Sequence, residues 1–365
     1  TLSSSSAASD VYKRQDLFNR IKWFGGLVQE EAKTNLAKIL WVDTGLNVLR
    51  YDEGIWRREW LWSLGFNITY TTNNTYVLGA DLSQFDVILW GSFYNYSKRT
   101  DVGNKLYEAI NNYGVGLFLL DDAYCTHEVG AWGFDSIMAN ITRLKKVDDR
   151  VWTDASSWSF PNDHDIFEPY GNASLSLNDF IADMTTGYHY KHELRTDSLP
   201  FDGTVLIRDN NNLPVFTIRT QGNGRVAWFG MFDDYSGMVA EDVSQAYSDG
   251  QLGWWSKAMT VLTNAILWCG KKDSLIPLIW MTDNNNFVNG LVWSMSGGKG
   301  EGLLWLSLCN ETSTAKTLSW NFRPNILNLG TNWVAVDLRS WQTWSGSGNV
   351  SFSLTMQPVS YTHLT

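Results

Sequence analysis

The first 270 residues alternate between two patterns of hydrophobic positions. Short continuous apolar runs, typical of strands buried on both faces, are separated by segments with apolar residues three or four positions apart, as in amphipathic helices. The apolar runs predict strands at 38–42, 67–72, 85–90, 115–120, 204–208, 214–218 and 224–232. The periodic segments predict helices at 16–35, 52–64, 101–112 and 254–268, the last stopped by Gly270. This alternation indicates an α/β fold, with a mostly parallel sheet and helices on both faces.

Beyond residue 272 the period of the pattern changes to two. Apolar residues alternate with polar neighbours at 318–322 and 350–356, and turn sequences such as SGGKG and SGSG separate the runs. Short alternating strands predict a small antiparallel β-sandwich over 273–357. We therefore expect a linking helix at 16–36, an α/β domain at 37–272 and the sandwich after it.

Both ends of the chain have a sequence that we do not expect to be native. Residues 5–15, SSAASDVYKRQ, match the translation of a transposase adapter used in sequencing libraries, and residues 359–365, VSYTHLT, match its reverse complement. Such scars are set aside before the fold is considered. We therefore assign 1–15 and 358–365 to the adapter and treat 16–357 as the native part of a longer protein.

Composition excludes some classes of protein. The 28 basic and 38 acidic residues give a net charge of −10, which argues against a nucleic-acid partner and against an anionic membrane surface. No uninterrupted apolar run approaches the roughly 18 residues of a membrane helix. The 20 tryptophans are the most unusual feature, and most occupy inward positions of the predicted elements, so we expect them in the core rather than on sugar rings.

Acidic residues follow three of the predicted strands. Asp43 follows the first, Asp121 and Asp122 follow the fourth, and Asp233 and Asp234 follow the strand at 224–232. Ligands of open parallel sheets bind at the carboxyl ends of the strands. These five residues are therefore candidate ligand-binding residues, and Asp43, Asp121 and Asp122 are also candidate acid/base groups. The alternative is that they only cap helices and turns.

Cys125 and His127, in a predicted loop after the fourth strand, are a further candidate pair, because a cysteine nucleophile needs a base within hydrogen-bond reach. Chance occurrence is the alternative, since no third orienting residue is evident. His189 and His192 have a spacing that could bind metal on a helix, but a surface pair is favoured. No glycine-rich phosphate motif follows a strand. We expect no cofactor and no metal.

Two features bear on where the protein is found. The three cysteines are too few for a disulfide framework, and whether Cys269 pairs with Cys309 cannot be read from their positions. The seven N-x-S/T sequons slightly exceed chance and favour export, so localisation stays open with a lean towards the extracellular side. Those sequons begin at Asn67, Asn73, Asn95, Asn140, Asn172, Asn310 and Asn349.

Several segments resemble the class I glutamine amidotransferase-like fold, a flavodoxin-like sheet. The resemblance is strongest to ThuA-like proteins and to the middle domain of β-galactosidase-type glycoside hydrolases. It is carried by the segments KILWVDTG, FDVILWGSF, GVGLFLLDDA, NDHDIF, GRVAWFG and LTNAILW. Amidotransferases have a cysteine directly after the fourth strand, where this chain has Asp121 or Asp122, with Cys125 too late. Their partner histidine is replaced by Asp233 and Asp234, so the resemblance does not imply glutamine hydrolysis.

The segment WVAVDLRSWQTWSGSGNVSFSLTMQP resembles the small β-domain that closes many glycoside hydrolases. An amidotransferase-like domain followed by such a β-domain is similar to the second and third domains of family 42 β-galactosidases. There, the preceding (β/α)8 barrel carries the catalytic carboxylates, and the middle domain assists trimer formation and borders the active site. The resemblance therefore implies a homo-oligomer that meets a carbohydrate substrate at the cleft of a parent enzyme.

Three hypotheses follow. The first is a non-catalytic portion of a larger carbohydrate-active enzyme that serves assembly and shapes the substrate cleft. The second is a self-sufficient ThuA-like hydrolase or sugar-modifying enzyme that uses the acidic strand ends. The third is a glycan-binding or cell-surface interaction module in which exposed tryptophans stack on sugars.

Overall fold

The structure of the chain is a computed structural model that describes most of the region after residue 35. The helices predicted at 16–35 and 52–64 lie outside the described residues, apart from Leu61. The described residues are 36–43, 61, 66–73, 75–91, 100–120, 125–128, 131–134, 136–146, 157–180, 194–195, 201–230, 257–281, 288–297, 301–310, 315–322, 332–336, 342–356 and 360–364.

The elements of the first 281 residues follow the predicted order. The strands are β1 (Lys38–Asp43), β2 (Asn67–Thr71), β3 (Val87–Gly91), β4 (Gly116–Leu120), β5 (Cys125–Glu128), β6 (Ala131–Phe134), β7 (Lys145–Lys146), β8 (Trp158–Ser159), β9 (Leu194–Arg195), β10 (Thr204–Asp209), β11 (Pro214–Gln221), β12 (Gly224–Phe229) and β13 (Ile279–Met281). The helices are α1 (Tyr76–Gly79), α2 (Thr100–Glu108), α3 (Ser136–Thr142) and α4 (Lys257–Cys269). A π-helical turn, Ala109–Tyr113, continues α2 up to Gly114, which has a left-handed backbone.

Eight of these strands form one mixed sheet. Its order is β2-β1-β3-β4-β12-β11-β10-β8, parallel from β2 to β12 and antiparallel from there to β8. The fold is α/β as predicted, but "mostly parallel" overstates the parallel part. The reason is the short connections at 210–213 and 222–223, because a tight turn can only return a strand antiparallel to its neighbour.

Helices cover both faces of this sheet, and alternate residues of each strand separate into two buried clusters. One cluster joins Leu40, Val42, Ile88, Trp90, Leu117, Leu119, Val226 and Trp228 to residues of α1, α2 and α3. The other joins Ile39, Trp41, Val87, Leu89, Phe118, Leu120, Ala227 and Phe229 to residues of α4. Every residue of β4 is buried, as its unbroken apolar sequence predicts.

The end of α4 packs directly on the start of β4. A Cβ atom on Gly116 would lie 2.3 Å from the carbonyl oxygen of Cys269, so only glycine allows this approach. The helix ends in a Schellman motif, with the N–H of Lys271 donating to Trp268 and that of Lys272 donating to Leu267. The left-handed residue is Lys271 (φ 57°), one position after the predicted stop at Gly270.

The remaining strands are antiparallel. They are β14 (Val288–Gly297), β15 (Glu301–Asn310), β16 (Lys316–Phe322), β17 (Asn332–Val336), β18 (Thr343–Ser347), β19 (Val350–Met356) and β20 (Ser360–Leu364). Their sheets have the orders β13-β16-β19, β14-β15-β20 and β17-β18. The residues of β20 belong to the segment that the sequence assigns to the adapter. The packing of these sheets as a sandwich stays a prediction.

The alternation predicted for β19 is confirmed. Val350, Phe352 and Leu354 are buried and belong to the same cluster as α4. The intervening Ser353 and Thr355 are exposed, and their hydroxyls pair with Ser319 and Thr317 of β16 at 2.7 Å. The apolar side of this sheet therefore continues the core of the α/β part.

We predict that Gly116→Ala destabilises the protein by about 3 kcal/mol, because the added methyl overlaps the Cys269 carbonyl. The matched control is Gly79→Ala at the end of α1, where a Cβ would meet nothing within 4 Å. We expect that variant to be about 0.5 kcal/mol more stable than wild type. Urea unfolding measures both, and equal stabilities would contradict the close approach.

Candidate functional site

The carboxyl ends of four strands lie side by side at one edge of the sheet. Asp43, the last residue of β1, pairs with Gly91 of β3, which pairs with Leu120 of β4, which in turn pairs with Phe229 of β12. Neighbouring strands are about 4.8 Å apart, so the backbones of Asp43 and Leu120 are about 10 Å apart. The chain leaves the sheet next to these residues, and we call this the carboxyl edge.

The structure places some of the sequence-predicted site residues and leaves others undescribed. Asp43 ends β1 at the carboxyl edge. The carboxylates predicted after β4 and β12 lie outside the described residues, and so do His189 and His192. Those carboxylates are Asp121, Asp122, Asp233 and Asp234.

Cys125 and His127 do not lie in a loop, as the sequence analysis expects. Both belong to β5, where Cys125 pairs with Phe134 and His127 pairs with Trp132 of β6. The expectation is wrong because CTHE has no apolar alternation to indicate a strand, whereas its partner strand AWGF supplies the pairing. The two residues therefore lie on a hairpin that begins five residues after β4 ends.

Helix α4 runs antiparallel to the parallel strands and brings its first turn to the carboxyl edge. Its C-terminal residue packs at the start of β4, where the Cys269 thiol lies 3.6 Å from the Leu117 carbonyl oxygen. Its N-terminal residue, Lys257, therefore lies towards the opposite ends of the strands. Phe180, next to Asp179, has its ring centroid 6.1 Å from that of Phe229 at the end of β12.

Lys257 and Asp179 form a largely buried ion pair beside this edge. The Lys257 Nζ lies 3.1 Å from Asp179 Oδ1, with side chains 17% and 5% exposed. The same ammonium donates to the Ser174 carbonyl at 3.0 Å and lies 5.7 Å from the centroid of the Tyr170 ring. The Asp179 carboxylate also accepts from the backbone and hydroxyl of Ser176, as in a capping box. These contacts fix the segment 170–180 against α4.

Sequence reasoning missed this pair. The spacing of Ser176 and Asp179 is the only local signal, since a Ser three residues before an acidic residue is typical of a capping box. Nothing near Lys257 in the sequence indicates its partner, because the two residues meet only through the packing of α4 on the sheet.

The opposite edge of the sheet carries structural contacts. Asp86 accepts from the Lys38 backbone N–H at 2.8 Å and lies 3.3 Å from the Lys272 ammonium. Arg219, whose side chain is 5% exposed, binds both oxygens of Asp202 at 2.8 and 3.0 Å. Its hydrogen bonds lower the pKa of Asp202. These charges are paired within the protein and stabilise the strand starts.

The one described cysteine side chain is not available for chemistry. Cys269 is a free thiol with no exposed surface, and burial raises its pKa far above the usual value. A thiolate is the reactive form, so this group is inert. Within the described ranges, no three His, Cys, Asp or Glu side chains converge as a metal site would need.

Tryptophans with described side chains lie inside the protein. Trp41, Trp90 and Trp228 are fully buried in the sheet, and Trp158, Trp333 and Trp344 are half-buried, as their packing against the core indicates. The prediction that tryptophans serve the core is confirmed for these residues. No helix in the described part of the chain is long and apolar enough to cross a membrane.

The sequence matches no protein-family model and no curated protein. Among solved structures, the chain is similar to the GH42 β-galactosidase Gan42B (11% identity, 90% of this chain and 40% of that one, TM-score 0.43). It is also similar to a β-galactosidase from Rahnella sp. R3 (12% identity, 91% and 41%, TM-score 0.43). A cytoplasmic protein from Salmonella typhimurium is similar over 63% of this chain and 98% of its own (16% identity, TM-score 0.37). The chain spans about 40% of the length of the two β-galactosidases.

We predict that Lys257→Met destabilises the protein by about 2 kcal/mol, because it leaves the Asp179 carboxylate buried without its cation. The double variant with Asp179→Asn should recover part of this loss, which a double-mutant cycle measures. Lys38→Met is the control, since the Lys38 side chain is exposed, and should change stability by less than about 0.5 kcal/mol. Equal effects of Lys257→Met and Lys38→Met would contradict the buried pair.

Proposed function

We propose that the chain is a non-catalytic portion of a larger carbohydrate-active enzyme of the β-galactosidase type. In this proposal it shapes one wall of the substrate cleft and serves assembly of the enzyme. The catalytic carboxylates belong to another part of the parent protein, and the substrate is a carbohydrate bound where the carboxyl edge meets that part.

One observation carries the non-catalytic part of the proposal. An acyl-transfer nucleophile sits on a sharp turn between a strand and a helix, which exposes its reactive atom. The residue that follows β4 here is Asp121, and Cys125 lies instead within the β5–β6 hairpin. The other described thiol-bearing side chain, Cys269, is buried at the far edge of the sheet. The described residues therefore offer no cysteine on such a turn.

The arrangement of the strands supports a role at a cleft. The parallel strands have the order β2-β1-β3-β4-β12, which corresponds to the 2-1-3-4-5 order of flavodoxin-like sheets. Such sheets bind ligands outside the carboxyl ends of their strands. The acidic residues that follow β1, β4 and β12 in the sequence would line that side of the cleft.

The order of the elements supports a place within a larger enzyme. The α/β part is followed by antiparallel strands, which is the order that the sequence resemblance to family 42 β-galactosidases implies for their second and third domains. We therefore propose that the parent enzyme is a homo-oligomer and that this portion contributes to its subunit contacts.

Turnover assays on the purified chain test the non-catalytic role. We expect no hydrolysis of aryl β-galactosides, other aryl glycosides, aryl esters or glutamine above a buffer control. Hydrolysis of any of these substrates that Asp121→Asn abolishes would overturn the proposal. It would favour the self-sufficient hydrolase, for which the alignment of the four strand ends at the carboxyl edge is the specific supporting observation.

Sedimentation velocity tests the assembly role. We expect the purified chain to form a homo-oligomer whose fraction rises with protein concentration, because a subunit interface follows mass action. A monomer across the whole micromolar range would contradict the assembly role and leave the cleft role to the turnover assays. The third hypothesis, a glycan-binding module, requires exposed tryptophans, and none of the described tryptophan side chains is exposed.

A further inference from the structure

Four side chains meet where the chain passes from α4 towards β13. His164 precedes the short 3₁₀ helix Asp165–Phe167, Arg225 belongs to β12, Trp268 lies in the last turn of α4, and Asp273 follows that helix. We call these residues the junction cluster. They connect the central sheet, a loop on its α4 face and the start of the C-terminal strands.

The Trp268 ring is the centre of the junction cluster. The His164 ring packs against it edge-on, with centroids 5.6 Å apart and an interplanar angle of 79°. The Arg225 guanidinium carbon lies 4.9 Å from the centroid of the same indole. Arg225 also donates to the Trp268 carbonyl at 2.8 Å and to the Asp273 carboxylate at 2.6 Å. The imidazole and the guanidinium therefore share one aromatic neighbour.

His164 accepts a hydrogen bond that requires its neutral form. The Ile166 N–H donates to Nδ1 of His164 at 3.1 Å, which caps the 3₁₀ helix. An imidazole nitrogen can accept only while it carries no proton, and both nitrogens are donors in the charged ring. This turn matters to the core, because Ile166 and Phe167 are fully buried and Asn264 of α4 donates to the carbonyls of Ile166 and Glu168.

We propose that the junction cluster is an acid-sensitive latch, which holds the passage from α4 to β13 and loosens when His164 takes up a proton. Protonation removes the cap on Ile166 because Nδ1 becomes a donor. It also places a second positive charge beside Arg225, which weakens the hold of Arg225 on Trp268 and Asp273. This inference is independent of the proposed enzymatic context.

The surroundings of His164 set the direction of the pH dependence. Burial lowers its pKa most and Arg225 lowers it further, whereas Asp165, Asp273 and Asp163 oppose this change. The net pKa is below the ordinary value of about 6.5. A group with a lowered pKa in the folded state stabilises that state fully above about pH 6.5 and loses this contribution as the pH falls. The latch is therefore closed at neutral pH and opens in acid.

Hydrogen–deuterium exchange on the full chain tests the latch at about pH 8 and about pH 5.5, which bracket the usual histidine titration. After correction for the intrinsic exchange rate, we expect peptides covering 165–168 and 273–278 to lose several-fold protection at the lower pH. A peptide covering β4 should keep its protection. Equal loss in β4 would mean general unfolding and would overturn the proposal.

The variant His164→Asn isolates the histidine. An asparagine oxygen accepts from the Ile166 N–H at either pH, so the pH-dependent loss at 165–168 and 273–278 should disappear. Loss of the same size as in wild type would overturn the latch. If the variant does not fold, the ring signals of His164 in the wild-type protein decide the question. A titration midpoint at or above about 6.5, or a neutral form protonated on Nδ1, would also overturn it.

Discussion

The arrangement of the α/β part depends on the close approach of α4 to the first residue of β4. The carbonyl of Cys269 occupies the space that a side chain on residue 116 would need, so a glycine at that position fixes the end of the helix against the start of the strand. Gly270 is in similar contact with Val87 and Ala37, which lie at the starts of β3 and β1. Because the C-terminal end of α4 is held there, its first turn lies at the carboxyl edge.

This constraint gives the two edges of the sheet different chemistry. At the strand starts, charged residues such as Asp86 and Arg225 are paired with partners from α4 and the turn after it. At the carboxyl edge, the strands end in register and the chain continues into segments rich in aspartate. Stability is concentrated at one edge, so the other is where a ligand or a neighbouring domain can be accommodated without breaking the core.

The sequence predicts those elements whose local pattern is strong. The unbroken apolar run of β4 and the alternation in β19 both appear as expected, because burial on two faces or on one leaves a direct trace in hydrophobicity. Other features depend on distant contacts. Lys257 finds Asp179 only after α4 has packed, β5 forms by pairing with β6, and Lys271 adopts the left-handed conformation for which Gly270 seemed suited. Asp121, Asp122, Asp233 and Asp234 stay candidate site residues on the sequence alone.

The central claim is that this chain supports catalysis carried out by another part of a larger enzyme. The most direct measurement is the genomic DNA sequence upstream of the codon for Asp16 in the source organism. The account predicts an uninterrupted reading frame that encodes repeated strand–helix units of a (β/α)8 barrel with two catalytic carboxylates. A start codon or a signal peptide within a few dozen codons of Asp16 would contradict it.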